Sequence, residues 1–101
     1  MTHDDVFQTL ADPTRRRVIA ALKRGEQSVN DIVDAVGIHQ SGVSRHLAIL
    51  SAAGFVRVRT DGARRIYALE AQPFREVSEW LARYRHLWER RSRDRRRAPR
   101  T

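Results

Sequence analysis

The stretch DIVDAVGIHQSGVSRHLAILSAAGF, residues 31–55, decides the fold. It contains two runs of apolar side chains at helical spacing. These positions are Ile32, Val33 and Val36 in the first run, and Val43, Leu47 and Leu50 in the second. Gly37 separates the runs and Gly54 follows the second, as is typical of glycines that end helices. The pattern predicts two amphipathic helices joined by a tight turn, which is a helix-turn-helix.

The second helix of this pair leaves a polar side opposite its apolar stripe. Arginine can bond guanine through two parallel hydrogen bonds, glutamine can do the same with adenine, and serine can donate or accept. Such a side suits the major groove of double-stranded DNA. The residues that we expect to read bases are Gln40, Ser41, Ser44 and Arg45.

Two histidines accompany this helix. His39 precedes it and can contact a backbone phosphate of DNA. His46 lies within it, where a phosphate or base contact and a bond to buried polar groups both remain open.

Beyond the second helix the periodicity changes from helical to alternating. Two runs rich in β-branched and aromatic residues flank Asp61-Gly62, which predicts a β-hairpin with its turn there. A hairpin directly after a recognition helix is the wing of a winged helix. Its arginines can contact phosphate or the minor groove, or they can form a solvated edge that prevents aggregation. Because Asp61 is the only acid among them, we favour DNA contact. These wing arginines are Arg57, Arg59, Arg64 and Arg65.

Two further helices are predicted before the helix-turn-helix. Val6, Phe7 and Leu10 mark one face of a short first helix. Asp12 suits the N-cap of the next helix, because Pro13 then takes the first helical position, where a missing N–H does no harm.

The second helix carries three consecutive arginines, at 15–17, in its first turns. The helix dipole disfavours cations there, so helix stability does not explain them. They either face phosphate or another acidic partner, pair with nearby aspartates, or form a plain solvated face. We expect Gly25 to end this helix and Ser28 to cap the next, with Asp31 completing a capping box.

Pro73 begins the last helix, in which apolar and aromatic residues repeat at intervals of three and four. This stripe is too large for one small domain to cover, and its exposure would leave a sticky patch. We therefore expect a twofold dimer in which this helix packs on its symmetry mate, with the first helix alongside. The alternative is a helix folded wholly onto its own core. The expected interface residues are Val6, Phe7, Leu10, Val77, Trp80, Leu81, Tyr84 and Trp88.

Composition indicates a polyanionic partner. The 101 residues carry a formal charge of +8, and Lys23 is the only lysine. Arginines make forked contacts to phosphate and guanine, although a codon bias toward arginine gives the same composition. The chain has no cysteine, which excludes disulfides and fits a reducing cytoplasm. With no membrane-crossing run and no signal-peptide pattern, we expect a cytoplasmic protein without membrane contact.

We divide the chain into a winged-helix DNA-binding and dimerisation domain at residues 1–92 and a basic tail at residues 93–101. The last stretch, ERRSRDRRRAPRT at residues 89–101, has no apolar periodicity and many arginines. We expect it to fray into a disordered tail.

Three segments together resemble the ArsR family of winged-helix repressors. They are LADPTRRRVIAAL at 10–22, SGVSRHLAILSAAGFV at 41–56 and DGARRIYAL at 61–69. Ser44-Arg45-His46-Leu47 is the most specific part of the match, which spans nearly the whole chain. The resemblance implies a mostly α fold with a small β-hairpin, ordered as four helices, two strands and a fifth helix. It also implies a homodimeric transcriptional regulator, commonly a repressor that leaves its operator when an effector binds, and it identifies no effector for this chain.

The metal sites of that family do not carry over. Its sensors of thiophilic metals use a Cys-x-Cys pair, whose positions here hold Ser28 and Asn30, and neither residue binds a soft metal.

Other members of the family bind zinc between the last helices of the dimer. His86-x-x-Glu89 fits one half of that site, but Pro73 and Arg75 occupy the positions of the other half. Because a zinc site needs three or four ligands, we expect no metal and no cofactor, with His86 exposed or at an interface.

The sequence does not predict an enzyme. It has no nucleophile with a partnered base, no pair of carboxylates in an apolar setting and no glycine-rich phosphate loop. We expect a sequence-specific DNA-binding regulator whose partners are double-stranded DNA and a second copy of itself. A winged-helix module for RNA or protein contacts is the alternative, because this fold does not fix its ligand.

Overall fold

The structure, a computed structural model, describes residues 3–89, and their side chains from residue 5 onward. The predicted boundary at residue 92 and the basic tail at 93–101 lie outside this range. The helices and strands are α1 His3–Ala11, α2 Pro13–Leu22, β1 Gln27–Ser28, α3 Val29–Val36, α4 Gln40–Ala52, β2 Val56–Asp61, β3 Arg64–Leu69 and α5 Gln72–Ala82. Within the described range, no helix is both long and apolar enough to cross a membrane.

The predicted helix starts follow their local capping signals. The Asp12 carboxylate accepts hydrogen bonds from the backbone N–H of Thr14 (2.7 Å) and of Arg15 (3.1 Å) and so caps α2. Ser28 and Asp31 form the predicted capping box at the start of α3, with both bonds at 3.2 Å. Gly25 was predicted to end α2, and the helix ends slightly earlier, at Leu22, after which the Gly25 N–H bonds the Leu22 carbonyl at 3.1 Å.

The helix-turn-helix consists of α3 and α4. Gly37 ends α3 at φ 77°, a left-handed conformation that glycine adopts without steric cost. The predicted apolar stripes point inward. Together with side chains of α1 and α2 and with Phe55, which lies after α4, they form the centre of the core. The fully buried members are Val6, Val18, Ile32, Val43, Leu47, Leu50 and Phe55.

The wing belongs to a three-stranded antiparallel sheet of order β1-β3-β2. The sequence predicted only the hairpin. β1 adds two pairs to it, Gln27 with Tyr67 and Ser28 with Ile66. A strand of two residues is too short to show alternation, and Ser28 has the sequence signal of a helix cap. The extra strand covers one edge of β3 and leaves β2 as an outer strand.

The hairpin turn lies one residue later than predicted. Asp61 pairs with Arg64, so the loop consists of Gly62 and Ala63 rather than Asp61 and Gly62. Gly62 has φ 64°, and no described non-glycine residue has a positive φ. Positive φ at the first loop residue alone is typical of a type II′ turn, which matches the twist of paired strands.

The last helix is interrupted, in contrast to the single helix predicted from Pro73 to Trp88. α5 ends at Ala82, and residues 85–89 are helical again after a turn. The Tyr84 N–H bonds the Leu81 carbonyl at 2.9 Å, a tighter bond pattern than that of an α-helix. Neither glycine nor proline marks this turn, so the periodicity of apolar residues could not reveal it.

α5 is attached to the domain by two aromatic contacts. Phe74 meets the buried Phe55 edge-on, with ring centroids 5.4 Å apart. Trp80 meets Phe7 of α1 in the same way at 5.1 Å. The prediction that Val6 lies at a subunit interface was wrong, because Val6 is fully buried in the core of its own domain.

Candidate nucleic-acid interface

The polar side of α4 is exposed along its whole first half. Gln40, Ser41, Ser44 and Arg45 all face solvent, whereas the opposite side of the helix is packed into the core. Gln40 and Ser41 lie in the first turn, where backbone N–H groups have no partner within the helix and the dipole is positive. This end of α4 is therefore suited to a negatively charged partner.

His39 is the N-cap residue of α4 by its backbone alone. Its carbonyl accepts the N–H of Gly42 and of Val43, both at 3.0 Å, and its side chain makes no capping bond. The imidazole is exposed. The His39 side chain is thus available to contact a phosphate, and the predicted contact stays a prediction.

α4 and the wing enclose a groove of about 570 Å³. Gln40 and Ser44 line it from the helix, and Arg65 and Tyr67 line it from β3. Ser41 and Arg45 belong to the neighbouring row of α4 and are outside this groove. The four predicted reading residues therefore form two rows with different surroundings.

The groove also contains residues that the sequence analysis missed. Ala48 and Ser51 extend the row of Gln40 and Ser44 along α4. Their spacing of four and seven residues from Ser44 was a usable signal, because it places them on the same face of a helix. Val58 of β2 lines the opposite wall.

A smaller hollow of about 250 Å³ lies at the tip of the wing. Ser28 and Asn30 at the start of α3, Gln40 at the start of α4, and Arg64 with Arg65 of the wing all line it. The fold thus brings two helix starts and two wing arginines together, although 34 residues separate Asn30 from Arg64 in the chain.

Two of the four wing arginines are paired with acids. Arg57 bonds Glu70 at 2.9 Å, and Arg59 bonds Glu26 at 2.8 Å. Asp61 is the only acid interleaved with these arginines in the sequence, but the acids that pair with them lie outside the hairpin, because Glu70 follows β3 and Glu26 precedes β1. Within residues 3–89, Arg64 and Arg65 form no ion pair, so they carry the unpaired charge of the wing.

The hydrogen bonds between Arg59 and Glu26 affect both groups. The bond from Arg59 lowers the pKa of the Glu26 carboxyl, and the same bond raises the pKa of the Arg59 guanidinium. Both groups are therefore charged at neutral pH. Both charges are therefore available for the ion pair at physiological pH.

The three arginines at the start of α2 bond the ends of other helices. Arg15 donates to the Thr9 carbonyl at 2.8 Å and lies 3.6 Å from the Asp12 carboxylate. Arg16 donates to the carbonyl of Leu10, in the last turn of α1, at 2.6 Å. Cations are favoured at such C-terminal ends. Pairing with an aspartate was one predicted alternative, and among the ion pairs of residues 5–89 it is found at Arg15.

Arg17 reaches a different helix. Its guanidinium donates a hydrogen bond to the Val36 carbonyl at the end of α3. The sequence does not predict this role of the arginines, because the accepting carbonyls belong to helices whose positions depend on the tertiary fold.

His46 is half-buried, and its Nδ1 is a buried atom without a hydrogen-bond partner. That nitrogen cannot contact DNA. The backbone N–H of Arg15 has the largest effect in lowering the pKa of the Asp12 carboxyl, and the nearby His46 makes the smallest contribution in the same direction. In the described part of the chain Nδ1 makes no bond to buried polar groups, and the predicted phosphate or base contact of His46 stays a prediction.

An apolar patch lies at the end of the described chain. Its exposed side chains are Leu81, Tyr84, Leu87 and Trp88, with exposed fractions between 40% and 54%. Trp80 supports the patch, since its ring centroid lies 5.0 Å from that of Tyr84. Phe7, Leu10, Val77 and Trp80, also predicted at the interface, are partly buried within the domain. Only part of the predicted interface is therefore free for a partner.

No group of three or more histidine, cysteine, aspartate or glutamate side chains in the described part of the chain could hold a metal ion. His86 and Glu89, the two residues that resemble half of a zinc site, are both exposed.

Comparison with curated proteins identifies several regulators. The helix-turn-helix domain family matches residues 10–59. The transcriptional repressor SdpR of Bacillus subtilis is 30% identical over 78 residues, which cover 77% of this chain and 87% of SdpR. The transcriptional regulator KmtR of Mycobacterium tuberculosis is 42% identical over 73 residues, which cover 72% of this chain and 56% of KmtR. A probable mercury resistance operon repressor of Streptomyces lividans is 39% identical over 72 residues, which cover 67% of this chain and 58% of that repressor. The chain thus spans little more than half the length of the last two relatives.

Solved structures share the architecture. The crystal structure of an ArsR family transcriptional regulator superposes with a TM-score of 0.74 at 36% identity, covering 85% of this chain and 89% of the other. The transcriptional repressor BigR from Xylella fastidiosa gives a TM-score of 0.66 at 29% identity, with 78% and 82% covered. The homodimeric winged helix-turn-helix DNA-binding domain of Mb0332 from Mycobacterium bovis gives 0.67 at 25% identity, with 86% and 82% covered.

Proposed function

The chain belongs to the ArsR family of winged helix-turn-helix transcriptional regulators, and on this basis we propose that it represses transcription by binding a specific DNA sequence as a homodimer. The observation that carries the proposal is the exposed polar side of α4 beside a wing with two unpaired arginines. In this proposal the chain acts by binding and not by catalysis, and it acts in the cytoplasm.

In the proposed complex α4 enters the major groove. Arg45 and Ser41 meet base edges from one row of the helix, and Gln40 and Ser44 meet them from the other. The wing side of the groove between α4 and the wing, opposite Gln40 and Ser44, faces the phosphate backbone that borders the major groove of the DNA. Arg65 in the groove and Arg64 at the tip of the wing bond phosphate oxygens of the DNA.

The apolar patch supports the homodimer. Exposed aromatic and aliphatic side chains in one cluster are typical of a contact surface between proteins. Mb0332, which shares the fold, is described as homodimeric. Two copies related by a twofold axis place their α4 helices in successive major grooves about 34 Å apart, so the proposed operator is partly palindromic.

DNA binding by the purified protein tests the proposal directly. We expect it to bind a duplex from its own upstream region about 10³-fold or more tightly than a shuffled duplex of equal length, as specific regulators do. Fluorescence anisotropy at fixed salt measures both affinities, and footprinting locates the operator. Equal affinities for the two duplexes would instead favour the RNA or protein-binding module.

The wing arginines are expected to differ in their effects. Arg65→Ala removes an unpaired cation and should weaken binding to specific and random DNA alike. The plot of log K, with K the association constant, against log salt concentration should become shallower by about 0.9, the value for one phosphate contact. Arg57→Ala should have the smaller effect, because Glu70 already holds that guanidinium at 2.9 Å. Salt titrations of both variants measure this difference, and a larger effect of Arg57→Ala would contradict the assignment.

A further inference from the structure

Arg59 of the wing is held by an acid from outside the wing. Its Nε donates to one carboxylate oxygen of Glu26 at 2.8 Å, and its Nη2 donates to the other at 3.2 Å. This is the forked geometry in which guanidinium binds carboxylate or phosphate. Glu26 immediately precedes β1, the strand that extends the wing sheet on its other side. The position of Glu26 is therefore fixed by the same sheet that carries Arg59.

The pair is accessible to a competitor. The Arg59 side chain is 54% exposed and the Glu26 side chain 43% exposed. Ion pairs at such a surface are weak, because both charges remain solvated and are screened by salt. A phosphate oxygen offers Arg59 the same geometry as the Glu26 carboxylate. Only one of the two anions can occupy the fork of the guanidinium at a time.

We propose that Glu26 determines DNA specificity by occupying Arg59 in the free protein and releasing it only when the wing is pressed against phosphate. The inference rests on the proposed function. When α4 is seated in the major groove of the operator, the wing is held at the backbone and phosphate displaces Glu26. On random DNA α4 is not seated, so Arg59 stays with Glu26 and adds nothing to binding. Glu26 thereby lowers affinity for random DNA more than affinity for the operator.

The test compares Glu26→Gln with Glu79→Gln. Both changes remove one negative charge and keep the shape of the side chain, but Glu79 is exposed on α5 and forms no ion pair among residues 3–89. We expect Glu26→Gln to raise affinity for a random duplex about fivefold at 0.15 M salt and to steepen its salt slope by about 0.9, as one added phosphate contact would. Affinity for the operator should rise less. Glu79→Gln should leave the salt slope unchanged.

A double variant shows whether the effect passes through Arg59. In the Arg59→Gln background, the further change Glu26→Gln should alter affinity for random DNA no more than Glu79→Gln does. Thermal melting followed by circular dichroism verifies that each variant is folded, and Glu26→Ala replaces Glu26→Gln if the amide disturbs the strand. Three results would overturn the inference: weaker binding by Glu26→Gln, an effect equal to that of Glu79→Gln, or a gain that persists without Arg59.

The same measurements separate this inference from the proposed function. If the unaltered protein shows no preference for its own upstream region, the proposed function fails and this inference fails with it. If the unaltered protein binds that region specifically while Glu26→Gln behaves as Glu79→Gln, only the role of Glu26 is wrong.

Discussion

Leu81→Arg is expected to give a monomer that binds its operator about 10² to 10⁴ times more weakly. In a dimer, binding of one subunit to its half-site raises the effective concentration of the other subunit at the second half-site, and a monomer lacks this contribution to affinity. Leu81 is 40% exposed within the apolar patch. A twofold axis near this residue would place two arginines close together in an apolar contact, where unpaired charges are costly. Sedimentation in the analytical ultracentrifuge measures the mass, and anisotropy measures operator affinity.

Ala82→Arg is the matched control for this variant. It adds the same charge to the neighbouring exposed residue, which lies one step around the helix from Leu81. Trp80→Arg is less informative, because Trp80 packs on Phe7 and Tyr84 and its loss would disturb the domain itself. A Leu81→Arg variant that still forms a dimer of unchanged stability would remove α5 from the proposed interface.

Arg45→Ala is expected to lower affinity for the operator by about 1 to 3 kcal/mol, or roughly 5- to 150-fold, the value of one forked contact to guanine. Preference for one base should be lost at the position that Arg45 reads. Because Arg45 is exposed and forms no hydrogen bond or ion pair in the described chain, thermal stability should be unchanged. Anisotropy with the operator, with single-base variants of it and with random duplex measures these effects.

Arg45→Lys separates the charge of this residue from its shape. Lysine keeps the charge but lacks the planar fork, so affinity for random DNA should be kept while base preference is largely lost. Equal weakening of operator and random DNA by Arg45→Ala would mean that Arg45 contacts phosphate and does not read a base.

The parts of the fold that the sequence predicted correctly have local signals. Asp12 before Pro13, Ser28 before Asp31, and Gly37 after Val36 each act within one helical turn, and each helix boundary marked in this way is found as expected. The polar side of α4 was predictable for the same reason, since burial of its apolar stripe leaves the opposite side exposed.

The parts that the sequence did not predict depend on residues distant in the chain. Glu26 and Glu70 neutralise wing arginines that are 33 and 13 residues away. An apolar stripe shows that a helix face is covered, but it does not show what covers it. For that reason Val6 was predicted at the interface with a second subunit, whereas it is buried in its own domain. The turn after α5 and the short strand β1 have no local signal at all.

The adjacent residues Arg16 and Arg17 have a mechanical consequence. Arg16 holds the last turn of α1, and Arg17 holds the last residue of α3, just before the chain bends into α4. α1 packs against α5, whose last turn contains Leu81 of the apolar patch. Two neighbouring side chains of α2 therefore hold the end of α1 and the end of α3, the helix that leads into α4, on one common support.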